Sequence, residues 1–391
     1  MAIDRERLKA RAVAEVEAHR QELVDLSLRI HDNPETGLQE HKASAWLCEL
    51  LEKAGFQVER GICGLPTAFR AAAGQGAPRV AFLAEYDALP GAGHACGHNL
   101  IGVSAAAAAL GARTALDSTG GSLVVIGTPA EEIVGGKVIM ARQGAFDGLD
   151  VAMLTHPGSR NAVHSRALAC ASLEVEYFGR EAHAAARPET GINALDALIL
   201  AYNAIGALRQ HIRDSARIHG VITDGGQAAN VVPNHSAASF LVRAEDDAYL
   251  DELKSKVIAC FEAGARGSGA RLEYRWSENQ FAAMRSNSTL AEAHKANLAA
   301  VGRQTHDQLS RHMGSTDMGN VSALAPAIHP TIAVAPPEVG IHSREFAACA
   351  ASEDAQRGLL DAAKAMAMTA IDVLTDADLR RRIQEEFLAS P

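Results

Sequence analysis

The sequence predicts an α/β protein in which a doubly wound, mostly parallel sheet forms the main domain and a smaller α+β domain is inserted into it. Short apolar runs alternate with helical patterns up to residue 165, which is typical of a doubly wound sheet. Over 166–277 the order becomes β-α-β-β-α-β, as in a ferredoxin-like sandwich. A length of 391 residues also exceeds the usual size of one hydrophobic core. We therefore predict a discontinuous main domain, 1–165 with 278–391, and an inserted domain, 166–277.

The elements of the main domain before the insertion follow from apolar periodicity. Helical spacing covers 5–30, a break follows at Asn33-Pro34, and Gly55 ends a second amphipathic helix. Glu35 and Glu40, in the connecting loop and at the helix start, are interpreted as solvated helix-entry charges. The later strands are apolar on both faces, as buried parallel strands are. The predicted elements are helices at 5–30, 38–51, 100–116 and 137–143 and strands at 67–72, 79–84, 122–129 and 151–154.

The inserted segment and the end of the chain are assigned in the same way. Period-two alternation marks strands, and longer runs with a 3.6-residue period mark helices. In the inserted segment we predict strands at 168–177, 218–223, 236–243 and 271–276 and helices at 191–212 and 248–263. After it we predict a helix at 290–301, a strand at 331–335, a long helix at 353–374 and a charged terminal helix.

Composition excludes several classes of function. The formal net charge is −10, and no basic stripe is present, so nucleic acid is not an expected partner. The most apolar long run, 100–116, contains Arg113 and is interpreted as a buried helix, so no membrane association is expected. Six scattered cysteines in a chain of this length indicate reduced thiols and a cytoplasmic protein.

The segment FLAEYDALPGAGHACGHNL, residues 82–100, carries the strongest chemical signal. His94, Cys96 and His98 occupy alternate positions after the acids Glu85 and Asp87. Imidazole and thiolate are the side chains that bind borderline metals, and a tight turn after a strand holds such ligands rigidly. The alternative is a glycine-rich loop with incidental histidines.

Two further strands of the predicted sheet end in similar residues. Glu131-Glu132 follow the apolar run VVIGTPA, His156 follows the strand at 151–154, and His342 lies in a late GIHS segment. Ligands of doubly wound sheets bind beyond the carboxyl ends of the strands. These residues suffice to bind two divalent ions that share one ligand, with a carboxylate left over as a base, which suits a two-metal hydrolase. Adjacent acids such as Glu131-Glu132 usually form a solvated face, but here they follow a buried strand, which argues against simple solvation.

The motifs GHACGHN, GTPAEE, GREAH, GSTDMGN and GIHS resemble, in this order along the chain, those of the aminoacylase-type metallopeptidase superfamily. The resemblance is closest to its amidohydrolase branch, which includes hippurate hydrolase, indole-acetyl-amino acid hydrolase and p-aminobenzoyl-glutamate hydrolase, and to a dipeptidase-like subgroup with EYDALP and GSTDxGNVS. It implies a catalytic domain with a lid, a homodimer formed through the lid, and hydrolysis of an amide beside a free carboxylate.

The resemblance also implies roles for individual residues. Cys96 would bridge two ions, His98 and His156 would complete one metal site, and Glu132 and His342 would complete the other. Glu131 would be the general base, and Asp87 would orient a ligand. His94 is assigned to the turn rather than to the metal. Asn99 stands where many members of the branch have Asp, so no ionic role is expected there.

Three residues of the inserted domain match lid positions of the superfamily. His183 would support the tetrahedral intermediate, often across the dimer, and Asn230 and Arg243 would bind the carboxylate of the substrate. From the sequence alone, His183 also fits an exposed loop histidine and Arg243 a surface strand charge. Gly314, Ser315 and Asp317 lie in a loop near the expected site, without an assigned role.

The leading functional prediction is a metal-dependent amidohydrolase that cleaves N-acyl amino acids or dipeptides. Two divalent ions are expected, Zn or Mn first, with Co and Ni also open. A p-aminobenzoyl-glutamate-type hydrolase is an alternative. A non-catalytic binding protein on the same fold and a redox role for Cys96 are further alternatives.

Overall fold

The computed structural model describes residues 4–306 and 314–389. The chain divides into two compact units. The first comprises Met1–Arg166, the segment that begins at Met284, and Asp317–Pro391, so it is discontinuous in sequence. The second comprises Ala167–Ala283 and a short segment that ends at Thr316. The second unit thus runs to Ala283, whereas the sequence pattern places the end of the insertion at residue 277.

The first unit contains two groups of elements, one on each side of the insertion. Before the insertion lie α1 (Arg5–Ala18), α2 (Arg20–His31), α3 (His41–Lys53), β1 (Gln57–Arg60), β2 (Phe69–Gln75), β3 (Arg79–Ala84), α4 (His98–Arg113), α5 (Leu116–Thr119), β4 (Gly121–Gly127), α6 (Gly136–Arg142), β5 (Val151–Met153) and β6 (His156–Gly158).

The second unit consists of β7 (Ala169–Phe178), α7 (Ala194–Leu208), β8 (Arg217–Asp224), β9 (His235–Ala244), α8 (Asp247–Ser268) and β10 (Arg271–Trp276). After it, the chain completes the first unit with α9 (Ser288–Ala300), α10 (Met318–Ser322), β11 (Ala327–Ile328), β12 (Thr331–Ala333), α11 (Arg344–Cys349), α12 (Glu353–Thr375) and α13 (Ala377–Ala389).

The main sheet of the first unit has the strand order β1-β2-β4-β3-β5-β11 in the described part of the chain. The central pairs β3/β4, β3/β5 and β5/β11 are parallel, whereas β1 and β2 are antiparallel to their neighbours. Strand β6 follows β5 in the chain and β12 follows β11, and these two strands form a separate parallel pair. The parallel centre places the ends of β3, β4 and β5 at one edge of the sheet.

Helix α4 covers the centre of this sheet because its side chains are small. Ala105–Ala109 are all buried, and α4 packs against β3, β4, α1 and α12. Gly111 has no room for a side chain, since a Cβ there would lie 2.9 Å from the Ala12 carbonyl oxygen. Burial of the apolar faces of α4 and α12 supplies the core on which the strand ends are fixed.

The second unit is an antiparallel sheet of order β10-β7-β9-β8 with α7 and α8 packed together on it. The predicted fold class is therefore confirmed for both parts: a mostly parallel α/β unit and an inserted α+β unit with ferredoxin-like order. None of the helices that the structure describes combines the length and apolarity needed to cross a membrane.

Candidate active site

The turn after β3 brings two of the predicted ligands, Cys96 and His98, to the end of the sheet. Cys96, Gly97 and His98 lead into α4, and Gly97 adopts a φ of 78°. A Cβ at Gly97 would lie 2.5 Å from Cγ of Pro157. Glycine is therefore required here both by the left-handed backbone and by the close approach of the segment that carries His156.

The five predicted ligands come together in two groups that share Cys96. Ligand atoms of Cys96, His98 and His156 lie within 4.8 Å of one another, and so do those of Cys96, Glu132 and His342. The Cys96 Sγ is 3.4 Å from Nε2 of His156. Oε1 of Glu132 is 3.2 Å from Nε2 of His342. The Cys96 thiol is thus shared by a group with two imidazoles, those of His98 and His156, and a group with one carboxylate and one imidazole, those of Glu132 and His342.

Hydrogen bonds on the far nitrogens fix the orientation of two of these histidines. Nδ1 of His98 donates to Oδ1 of Asp87 at 2.9 Å, and Nδ1 of His156 donates to the Pro157 carbonyl at 2.6 Å. The Nε2 atoms therefore face the centre, and Nε2 of His98 is buried there without a hydrogen-bond partner. The second Asp87 oxygen accepts the Glu132 amide at 3.1 Å. Asp87 thereby orients both a histidine and the Glu132 backbone, as outer-shell carboxylates of metal sites do.

His342 reaches the site through a strained backbone. It adopts a φ of 67°, which is uncommon for a residue with a side chain. Its amide donates to the Ala95 carbonyl at 2.8 Å, next to Cys96. Strain of this kind persists where the surrounding structure enforces it, and it concentrates at functional sites.

A buried carboxylate holds the turn that carries Glu131 and Glu132. Ala130 has a φ of 60°, and its amide donates to Oε1 of Glu40 at 2.8 Å. The other Glu40 oxygen accepts the Thr67 hydroxyl at 2.9 Å. Burial, with a smaller contribution from Asp87, raises the pKa of Glu40 to about 7.

This placement corrects one expectation. The sequence favours solvated helix-entry charges for Glu35 and Glu40, and Glu35 does accept the amides of Lys42 and Ala43 at the start of α3. Glu40, in contrast, is fully buried. The interpretation of Glu40 as a solvated charge is wrong because the turn at Ala130 needs an internal acceptor.

Glu131 lies beside the predicted ligands, and the surroundings of its carboxyl group disfavour the ionised form. Ligand-type atoms of His98, Glu131 and Glu132 lie within 4.8 Å of one another. Burial raises the pKa of Glu131 well above its ordinary value, and the charges of Asp317 and Glu85 raise it further. A carboxyl group with a raised pKa is suited to accept and release a proton near neutral pH.

A fully buried ion cluster lies behind these residues. Nζ of Lys137 contacts Oε1 of Glu85 at 2.5 Å and Oδ1 of Asp317 at 2.8 Å, and the Lys137 amide donates to Oδ2 of Asp317 at 2.9 Å. Burial lowers the pKa of Lys137, but the two carboxylates outweigh this effect and raise it. Oε2 of Glu85 lies 3.5 Å from Nε2 of His98.

Two other polar residues of the segment 82–100, His94 and Asn99, have surroundings that indicate a role in packing. His94 is buried, its ring lies 6.1 Å from that of His31, and it belongs to none of the ligand groups found among the described residues. Asn99 is buried and donates to Oγ of Ser27 and to the Ala350 carbonyl. Burial raises the pKa of the Cys96 thiol above its ordinary value.

The residues predicted for the lid lie in the second unit. The loops of His183 and Asn230 are paired, since the Ala184 amide donates to the Asn230 carbonyl at 3.0 Å. Nδ1 of His183 accepts the amides of Ala185 and Ala186, so its proton is on Nε2. On β9, a guanidinium nitrogen of Arg243 donates to the Ser315 hydroxyl at 2.8 Å.

Known proteins match this chain in sequence and in fold. The model of Peptidase family M20/M25/M40 matches residues 81–370. The chain belongs to this peptidase family. It is 39% identical to the Xaa-Arg dipeptidase of Mus musculus over 99% of this chain and 93% of that protein. It is 30% identical to one of the p-aminobenzoyl-glutamate hydrolase chains of Escherichia coli, over 95% of this chain and 93% of that one.

Among solved structures, a dinuclear metal binding peptidase from the M20 family of Bacillus subtilis has the same fold. The TM-score is 0.69 at 20% sequence identity, and the match covers 92% of this chain and 99% of that one. Membership of the M20/M25/M40 family confirms the predicted resemblance and the predicted class of enzyme, a hydrolase of the peptidase and amidohydrolase type.

Sequence reasoning missed the burial of two residues near the candidate site, Glu40 and Lys137. Glu40 directly precedes α3 and Lys137 lies in the first turn of α6, where charged residues are normally exposed. The one available signal for Lys137 is its position directly after Gly135-Gly136, close to Glu131-Glu132. A Cβ at Gly136 would lie 1.8 Å from the Pro129 carbonyl oxygen. The glycine thus lets the two ends of the turn that carries Glu131 and Glu132 approach each other closely, and Lys137 follows directly at a buried position.

Proposed function

We propose that the chain is a dinuclear metal-dependent hydrolase that cleaves dipeptides or N-acyl amino acids to a carboxylic acid and a free amino acid. The observation that carries this proposal is the pair of ligand groups that share Cys96, with Glu131 beside them. Thiolate, imidazole and carboxylate are ligands that Zn²⁺ accepts. The buried, unpartnered Nε2 of His98 fits a metal ligand as well.

In this proposal His98 and His156 would hold one ion and Glu132 and His342 the other, and Cys96 is common to the two groups. Zn²⁺ and Mn²⁺ are the first candidates, with Co²⁺ and Ni²⁺ also compatible with such a donor set. When bound, the ions would supply a nucleophilic water at neutral pH and polarise the carbonyl group of the substrate.

The chain's own groups then move the protons. Glu131 takes a proton from the attacking water and later gives it to the leaving amine, while the bond between the carbonyl carbon and the amide nitrogen breaks. Asp87 keeps Nε2 of His98 directed at the centre and holds the Glu132 backbone. Because the carboxyl group of Glu131 has a raised pKa, it holds this proton readily between the two steps.

The second unit would bind the rest of the substrate. His183 carries its proton on Nε2, which makes it a donor for the oxygen that becomes negative during the attack. We assign Asn230 and Arg243 to the free carboxylate, for which a guanidinium group is the usual partner. The hydrogen bond from Arg243 to Ser315 would hold that guanidinium group in place.

The similarity to an Xaa-Arg dipeptidase along nearly the whole chain favours dipeptides as the substrate class. The match to a chain of p-aminobenzoyl-glutamate hydrolase keeps that type of hydrolysis as the second candidate. We also propose a cytoplasmic location, where the six thiols, all described and none in a disulfide, would stay reduced.

A substrate panel combined with metal removal tests the proposal. Dipeptides with C-terminal Arg or Lys, N-acyl amino acids and p-aminobenzoyl-glutamate are assayed before and after chelation. We expect hydrolysis of a dipeptide that chelation reduces to background and that Zn²⁺, Mn²⁺ or Co²⁺ restores. Activity that is indifferent to chelation would contradict the metal mechanism, and a purified protein with almost no bound metal would favour a non-catalytic binding protein.

We further propose that the second unit forms a homodimer. Strand β8 lies at the edge of its sheet, and its Val221 and Ile222 are 62% and 45% exposed. Tyr202 of α7 donates to the Gly220 carbonyl of β8, and Ile199 and Leu200 on that helix are also exposed. An exposed apolar edge strand pairs readily with a second copy of itself around a twofold axis.

The Val221→Lys variant tests this dimer. A lysine on β8 would bring a positive charge from each copy into the proposed interface, so we expect the mass in solution, measured by light scattering, to fall from about twice 41.1 kDa to that of one chain. Leu388→Lys is the matched control, because Leu388 is 73% exposed on α13 outside the second unit. A wild-type protein of single-chain mass would contradict the proposal.

A further inference from the structure

The ion cluster of Glu85, Lys137 and Asp317 is not used by the mechanism above, yet all three of its residues are buried beside the site. Lys137 is 0% exposed, and its ammonium group contacts one oxygen from each carboxylate. The removal of one partner from a buried ion cluster leaves an uncompensated charge. Such a cluster is costly to bury, so its position next to the metal ligands calls for an explanation.

The cluster reaches the site through Glu85. One Glu85 oxygen binds Lys137, and the other lies 3.5 Å from Nε2 of His98, the atom proposed to bind metal. Without the ammonium group, the Glu85 carboxylate would be free to turn toward that atom. Lys137 therefore fixes which Glu85 oxygen faces the centre and offsets its charge.

The cluster also holds one end of the turn that carries Glu131 and Glu132. The Glu40 carboxylate holds the turn where it begins, at Ala130, and Lys137 follows directly where it ends. Both the amide and the ammonium group of Lys137 bind Asp317, which precedes α10. Three chain segments, at the end of β3, at the start of α6 and before α10, thus meet at one ammonium group.

We propose that Lys137 is a positioning residue of the metal centre, which acts through Glu85 on His98 and through Asp317 on the turn of Glu131 and Glu132. This inference rests on the proposed metal site and deepens it. It also gives the Asp317 loop a role, as the anchor that holds Lys137 from the far side.

The test compares Lys137→Met with Lys9→Met. Lys9 contacts Asp372 at 2.7 Å and Asn297 at 3.0 Å, so it forms a largely buried lysine–carboxylate pair in the same unit that includes no residue of the site. We measure Zn²⁺ affinity by chelator competition, the visible spectrum of the Co²⁺ form, thermal unfolding, kcat and KM. For Lys137→Met we expect about 10- to 100-fold weaker binding of at least one Zn²⁺ and an altered Co²⁺ spectrum.

The kinetic readout separates positioning from plain destabilisation. For Lys137→Met we expect kcat to fall by about 10-fold or more while KM changes by less than about 3-fold, because the substrate contacts remain. Lys9→Met should lower the unfolding temperature but keep Zn²⁺ affinity and kcat. A folded Lys137→Met protein with wild-type Zn²⁺ affinity and an unchanged Co²⁺ spectrum would overturn the inference.

A second variant covers the case in which Lys137→Met does not fold. Glu85→Gln retains both contacts between Lys137 and Asp317, and we expect it to fold and to bind Zn²⁺ at least about 10-fold more weakly. Wild-type affinity in Glu85→Gln would also overturn the inference. If the wild-type protein itself fails to bind two equivalents of Zn²⁺, the proposed function fails, and the role of Lys137 fails with it.

Discussion

Replacing Glu131 with Gln is expected to lower kcat by about 10²- to 10⁴-fold while two equivalents of metal stay bound. Glutamine has nearly the same size but cannot take the proton from the attacking water. The five proposed ligands do not include Glu131, so the metal content of the purified variant should match that of the wild type. Steady-state kinetics and elemental analysis on the same preparation measure both quantities.

The neighbouring Glu132→Gln variant is the matched control for this prediction. Glu132 contacts His342 and is proposed as a ligand, so its loss should reduce the metal content as well as the activity. Because Glu131 also lies within ligand distance of His98 and Glu132, the two roles could be exchanged. Metal loss in Glu131→Gln, or turnover within a few fold of the wild type, would contradict the assignment of Glu131 as the base.

Replacing Cys96 with Ala is expected to lower the occupancy of both metal sites and to reduce activity by more than about 10²-fold. The reason is that Cys96 is common to the two ligand groups proposed to hold the ions, whereas each of the other proposed ligands is assigned to a single ion. Metal titration should find both binding steps weakened. By the same argument, His156→Ala should weaken only one of them.

Cys48→Ala is the control for the loss of a buried cysteine. Cys48 is fully buried on α3 in the same unit and is not among the ligand groups of the described residues. We expect this variant to retain both ions and full activity. If Cys96→Ala kept two tightly bound ions but lost activity, the thiol would have a chemical role other than bridging, and the redox alternative would regain support.

Two strands could be predicted with their bounds because their sequence patterns are unambiguous. The strands at 79–84 and 271–276 have the predicted bounds, since both are short runs between clear turn signals. Helical spacing from 5 to 30 gave one helix, but the structure has two, which meet at His19. Strand β1 was missed because its sequence, QVER, is mostly polar and exposed.

The candidate site was predictable to the extent that its residues end strands. Cys96, His98, Glu132 and His156 follow three strands of one parallel sheet, and elementary topology brings such positions together. Glu40 and Lys137 could not be found in this way. Their burial depends on partners that lie far away in the sequence, Thr67 and Ala130 for Glu40 and Glu85 and Asp317 for Lys137.

The discontinuity of the first unit has a consequence for how the site is assembled during synthesis. Four of the five proposed ligands precede the inserted unit, and His342 and Asp317 follow it. A ribosome must therefore translate the whole insertion before the second proposed metal site can be complete or Lys137 can meet both of its carboxylates. Until then the proposed centre would lack His342, and any metal bound early would be held by an incomplete set of the proposed ligands.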